Sequence, residues 1–182
     1  MEKTKTLQPS WKNFLQPVLF PEKNLLKNEL PRVAIVGIGN EFNGDDAAGV
    51  IVARKLGAQE FCADAGHVLV IEAGQAPENI TAELRRFMPQ VVVLIDAAQM
   101  NARPGDAAWI PWETTTGMSA SSHSLPLSMM ARYIVLEFSC TVHLLGIQPA
   151  GNETNAGLSP EVEMTVDDIC QTLCQALFVP QP

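Results

Sequence analysis

"RVAIVGIGNEFNGDDAAGVIVARKLG", Arg32 to Gly57, changes character twice along its length. Its opening, "RVAIVGIG", is a continuous apolar run of strand length following Pro31, the pattern of a strand buried on both faces of a parallel sheet. Asp45 then opens a helix: Ala48, Ile51, Val52 and Leu56 recur at helical spacing, Arg54 and Lys55 occupy the last turn, and Gly57 stops it. Strand, glycine-rich turn and helix in this order begin a βαβ unit.

Working outward, "HVLVIEAG" reads as a second strand, "ENITAELRRFM" as a helix ended by Pro89, and "VVVLIDAA" as a third strand. The order βαβαβ implies a doubly wound sheet with right-handed crossovers. The link "QMNARPGD" is shorter than the roughly twelve residues a parallel return needs, so the strand Ala107 to Ile110 is expected to run antiparallel at an edge. "PWETTTGMSASSH" has no periodicity and reads as an exposed loop. A helix from about Ser124 to Phe138 follows, with Pro126 tolerable only in its first turn. "TVHLLGI" is the last strand. A closing helix starts at Ser159-Pro160 and carries an apolar stripe of Val162, Val166, Ile169, Cys170, Leu173 and Leu177.

The expected fold is α/β, a three-layer sandwich with a doubly wound, mostly parallel five-stranded sheet and one antiparallel edge strand. With 182 residues and 47% apolar content, one domain is expected, over residues 32–182. Residues 1–31 hold four prolines, five lysines and scattered aromatics (Trp11, Phe14, Phe20), a composition that fits a flexible or surface-draped N-terminal arm, with a docking element as the alternative.

The net charge of −8 is unevenly spread. Residues 1–55 carry eight basic and six acidic side chains; residues 56–182 carry four and fourteen, with no lysine after Lys55. Such a body repels phosphate backbones and anionic bilayers, which argues against nucleic acid and membrane partners and favours metal ions and basic peptides. Cys62, Cys140, Cys170 and Cys174 lack zinc-site spacing and disulfide density and read as reduced thiols. No stretch reaches the ~20 apolar residues of a membrane span, and the apolar start is broken by Lys12, Asn13, Pro17 and Pro21, so a cytoplasmic protein is expected.

In a doubly wound sheet the ligand site lies beyond the carboxyl ends of the strands, where strand order reverses. Asp45 and Asp46 follow the first strand, Glu72 ends the second, Asp96 ends the third, and His123 lies in the long loop before a helix. Each has a plain structural alternative. Asp45 is explained as a helix N-cap, worth ~1 kcal/mol, and Asp46 as a partner of the helix dipole. Asp96 interrupts an apolar strand, where an unpaired charge is costly to bury. His143, in an apolar strand, reads as a core histidine and His67, in a turn, as a surface one. Together Asp46, Asp96 and His123 would supply two oxygen ligands and one imidazole, a set suited to nickel, zinc or iron with positions left open for a substrate.

Rival constellations fit less well. Gly37-x-Gly39 lacks the third glycine of a dinucleotide fingerprint, Gly44 is followed by Asp45 rather than the Lys of a P-loop, and there is no GxSxG or HExxH. A response-regulator receiver also pairs an early Asp-Asp with an aspartate ending the third strand, but it needs a later lysine that this chain lacks.

"GIGNEFNGDDAAGV", "EAGQAPENI", "VVVLIDAAQM", "SSHSLPLS" and "HLLGIQPA" together resemble, in order and rough spacing, the nickel-iron hydrogenase maturation endopeptidases over about residues 32–178. The "APEN" and "HSLPL" pieces look most like the subgroup serving hydrogenases of the formate hydrogenlyase type. The resemblance implies an aspartic-type endopeptidase activity that removes a C-terminal extension from a hydrogenase large-subunit precursor once nickel is inserted, cutting after a basic residue and so activating the enzyme. It implies metal and catalytic roles for Asp46, Asp96 and His123, with nickel borne by the substrate and zinc or another divalent ion able to occupy the site in vitro. The alternative is a nickel-sensing chaperone that docks on the maturing subunit without cutting it. Two departures stand out: Glu72-Ala73-Gly74 replaces the usual Asp-Gly-Gly, and the N-terminal arm is not part of the pattern.

Overall fold

The computed structural model describes residues 10–21, 30–59, 66–75, 80–114 and 126–178. Five strands form one sheet: β1 (Val33–Ile38), β2 (Val68–Gly74), β3 (Val91–Ala97), β4 (Ala107–Ile110) and β5 (Thr141–Ile147), in the order β2-β1-β3-β5-β4. β1, β2, β3 and β5 pair in parallel, while β4 runs antiparallel to β5 from Ala107 opposite Ile147 to Ile110 opposite Leu144. The sheet class and the reversed edge strand agree with the sequence reading, and the short β3–β4 link accounts for the reversal.

Helices cover both faces: α1 (Leu15–Leu19), α2 (Ala48–Gly57), α3 (Thr81–Phe87), α4 (Leu127–Phe138) and α5 (Pro160–Phe178). Side chains alternate across the sheet and build two cores. Val33, Ile35, Val93, Ile95, Leu145 and Ile147 face α2 and α5, whereas Ala34, Val36, Ile38, Val92, Leu94 and Leu144 face α3 and α4. The α5 stripe is buried as its spacing predicts at Val162, Val166, Ile169, Leu173 and Leu177, with Cys170 half-buried beside Val52. Among the described residues no helix is long and apolar enough to cross a membrane, and Cys140, Cys170 and Cys174 form no disulfide.

Residues 10–21 differ from a loose arm. A 3-10 turn over Trp11–Phe14 leads into α1, and Trp11, Leu15, Val18 and Leu19 are buried in the α2/α5 core. The Trp109 indole N–H on β4 donates to the Trp11 carbonyl at 2.8 Å, and the Lys12 ammonium pairs with Asp168 on α5. The physical reason is spacing: Trp11, Leu15, Val18 and Leu19 form one helical face within an otherwise polar, proline-marked stretch.

Two glycines set how closely α2 lies on the sheet. A Cβ at Gly49 would stand 2.1 Å from the Ile95 carbonyl oxygen and 2.4 Å from that of Ile38, and one at Gly37 would meet the Gly49 carbonyl oxygen at 2.1 Å. Bare backbone at both positions lets the first turn of α2 touch the carboxyl ends of β1 and β3.

Candidate active site

Strand order reverses between β1 and β3, because the chain passes from β1 outward to β2 and then crosses back. The turn after β1 occupies that point. Gly39 takes φ +134°, and a Cβ there would overlap the Asp46 carbonyl oxygen at 1.8 Å. Asn40 shapes the turn twice: its side-chain oxygen accepts the Phe42 N–H at 3.0 Å, and its own N–H donates to Asp46 Oδ2 at 3.1 Å. A 3-10 turn, Gly44–Ala47, then carries both aspartates into α2.

Asp46 and Asp96 both lie at this end of the sheet, each buried at 3% exposure. Burial, with the charge of Asp46 adding to it and the Ala97 N–H working the other way, pushes the Asp96 carboxyl up to about 7. Burial also raises Asp46, against the Asn40 N–H. Among the described residues no basic side chain forms an ion pair with either acid. Two buried carboxyl groups without a counter-charge among the described residues are costly to ionise in an apolar interior, and their oxygens are of the kind that ligate a divalent cation.

The remaining candidates fall elsewhere. His123 lies outside the described residues. Glu72 stays out of the acidic pair: with Glu41 it grips the Arg54 guanidinium, each at 2.9 Å, in a half-exposed surface cluster. Asp45 does not cap its own helix, since the residues preceding the 3-10 turn and α2 make no side-chain cap. Its buried carboxylate reaches instead to the β5–α5 loop. Oδ2 accepts the Ala150 N–H at 2.7 Å, the Gly151 N–H at 3.2 Å and the Ser159 hydroxyl at 3.0 Å, while Oδ1 accepts the Ser159 N–H at 2.6 Å. The signal available in sequence, an aspartate opening a helix, points to a local cap; the true donors lie over a hundred residues away.

Neighbouring loops are held by similar means. Gln148, buried after β5, accepts the Met100 and Ala102 N–H groups at 2.7 and 3.2 Å and so ties down the loop leaving β3. His67 is half-buried rather than exposed, with Nε2 3.2 Å from the Leu177 carbonyl oxygen at the end of α5. His143 stands edge-on to Trp109, and burial lowers its pKa against the raising effect of Glu113. Two clefts flank the acidic turn. One, of about 220 Å³, is lined by Gly39, Glu41, Phe42, Arg54, Glu72 and Gly74; the other, of about 300 Å³, by Gly44, Asp45, Gly151, Glu153 and Ser159 among others.

Comparison with known proteins identifies the family and agrees with the fold. Residues 50–176 match the HycI family, described as hydrogenase maturation proteases. A provisionally named hydrogenase maturation protease of Methanocaldococcus jannaschii is 32% identical over 84% of this chain and 91% of its own. The hydrogenase 3 maturation protease of Escherichia coli K12 is 33% identical over 62% of this chain and 69% of its own. The crystal structure of the NiFe hydrogenase maturation protease HycI from Thermococcus kodakarensis superposes with a TM-score of 0.71, at 29% identity, over 81% of this chain and 92% of its own. The class these likenesses define is that of hydrolases cleaving a peptide bond. Within it, the chain belongs to the hydrogenase maturation protease family, and its role is that of an endopeptidase in hydrogenase maturation.

Proposed function

We propose that the protein removes the C-terminal extension of a nickel-loaded hydrogenase large-subunit precursor, and that Asp46, Asp96 and His123 hold the metal at which cleavage is licensed. The observation that carries this reading is the burial of Asp46 and Asp96, within electrostatic reach of one another at the strand-order reversal, without a neutralising side chain among the described residues. Nickel is then part of the substrate, and zinc or a similar divalent ion can take its place in vitro. Bound there, the cation would polarise the scissile carbonyl or lower the pKa of a water.

The chain's own residues supply the rest. Asp46 and Asp96 offer oxygen ligands from two different segments, and His123 would add an imidazole nitrogen. The Asn40 N–H fixes the orientation of Asp46 through Oδ2. Burial of both acids keeps bulk water from competing for the cation. The two flanking clefts leave room for an extended peptide on either side of the turn. An acidic body with a net charge of −8 attracts a basic cleavage sequence.

The test uses purified precursor with and without nickel, with the C-terminus read by mass spectrometry. Cleavage only of the loaded form, lost in Asp46→Asn and His123→Ala while their circular dichroism is unchanged, supports the reading. Equal cleavage of both forms overturns the metal gate.

A further inference from the structure

We propose that Asp45 is a positioning residue for Asp46, acting through the β5–α5 loop; this rests on the functional reading above. Asp45 is 2% exposed and adjoins a proposed ligand, yet it takes no part in the acidic pair. All four hydrogen bonds to its carboxylate come from Ala150, Gly151 and Ser159. A carboxylate has about four acceptor sites, so this set leaves Asp45 little to offer a cation or a substrate.

Backbone contacts extend the lace on both sides. The Asp45 N–H donates to the Gly151 carbonyl at 3.4 Å, and the Asn155 N–H donates to the Phe42 carbonyl at 2.7 Å. Gly44, at φ +54°, lies so close to Glu153 that a Cβ would stand 3.3 Å from its backbone nitrogen and oxygen. The turn from Phe42 to Asp45 is thereby clamped to a loop carried by β5 and α5, two elements packed into the core.

Such a clamp answers a specific difficulty. Asp46 and Asp96 are both buried acids that repel whenever both are ionised, so the 3-10 turn carrying Asp46 needs holding in place. Hydrogen bonds to a neighbouring carboxylate hold the turn without placing another ligand in the site, as outer-shell groups do for metal-binding side chains. Ser159 supplies two of the four bonds, since both its N–H and its hydroxyl reach Asp45.

The experiment compares the full chain with Asp45→Asn, Ser159→Ala and Ser159→Thr. Each is titrated calorimetrically with Ni²⁺ alone and followed in single-turnover cleavage of the nickel-loaded precursor. Asp45→Asn is expected to weaken nickel binding about 10- to 100-fold and to slow cleavage. Ser159→Ala removes a donor without altering charge and should shift both readouts in the same direction by less, while Ser159→Thr restores them. Folded Asp45→Asn and Ser159→Ala variants that bind nickel and cleave as the parent does would overturn the proposal. If the parent chain takes up no free Ni²⁺, the cleavage rates decide alone: slowing by Ser159→Ala with recovery in Ser159→Thr supports the clamp, and a normal rate overturns it. Failure of the metal reading shows separately, as equal cleavage of nickel-free precursor by the parent.

Discussion

Asp46, in the 3-10 turn after β1, and Asp96, at the end of β3, are both buried and near enough that the charge of Asp46 raises the pKa of Asp96. Their proximity follows from the sheet order, which sets β1 beside β3, and from Gly37 and Gly49, which let α2 approach both. Like charges held together cost stability when both are ionised, and that cost is measurable.

The folded chain binds the Asp96 proton up to about pH 7, whereas an unfolded aspartate releases it near ~3.9. Between those values the native state holds more protons than the unfolded one, so stability falls as pH rises through the window and levels off above it. Asp96→Asn is expected to flatten that slope and to raise the melting temperature above about pH 7, by roughly 2–4 °C for each kcal/mol relieved in a chain of this size. Parallel thermal melts of parent and variant across the window check it; identical slopes would refute the assignment.

A divalent cation should oppose the same penalty. Adding Ni²⁺ at a hundredfold excess over its dissociation constant is expected to stabilise the parent by about 2.7 kcal/mol at neutral pH, and Asp46→Asn should lose most of that gain. Scanning calorimetry with and without the ion decides; an equal gain in both proteins would place the ion elsewhere.

Gly49→Ala is expected to destabilise the fold by roughly 1–3 kcal/mol, because its methyl group would stand 2.1 Å from the Ile95 carbonyl oxygen. Backbone must move to admit it, and the moving element carries Asp46. Urea titration gives the stability change. A neutral result would mean that α2 is not seated as closely as Gly37 and Gly49 indicate.

Trp11→Ala removes a buried aromatic from the α2/α5 core and should cost about 3 kcal/mol. A chain whose first residues drape loosely over the surface would show no change. By contrast, Arg54→Ala should cost less than ~1 kcal/mol, and less still in high salt, since its pairs with Glu41 and Glu72 are about half exposed.

Much of this protein was legible residue by residue. Apolar runs of strand length located β1 and β3, the α5 stripe named the residues it buries, and the short Ala98–Asp106 link required β4 to turn back. These inferences succeed because they rest on periodicity and chain length, which act over a few residues. The edge rule for doubly wound sheets offered Asp45, Asp46, Glu72, Asp96 and His123 alike and did not choose among them. Only the tertiary structure decided that Asp45 braces a loop over a hundred positions away, that Trp11 is core, that His67 meets the end of α5, and that Glu72 belongs to Arg54 rather than to the acidic pair. In each case the local pattern allowed a satisfactory alternative. The choice was made by partners that become neighbours only when the sheet closes and buried polar groups must find donors or counter-charges.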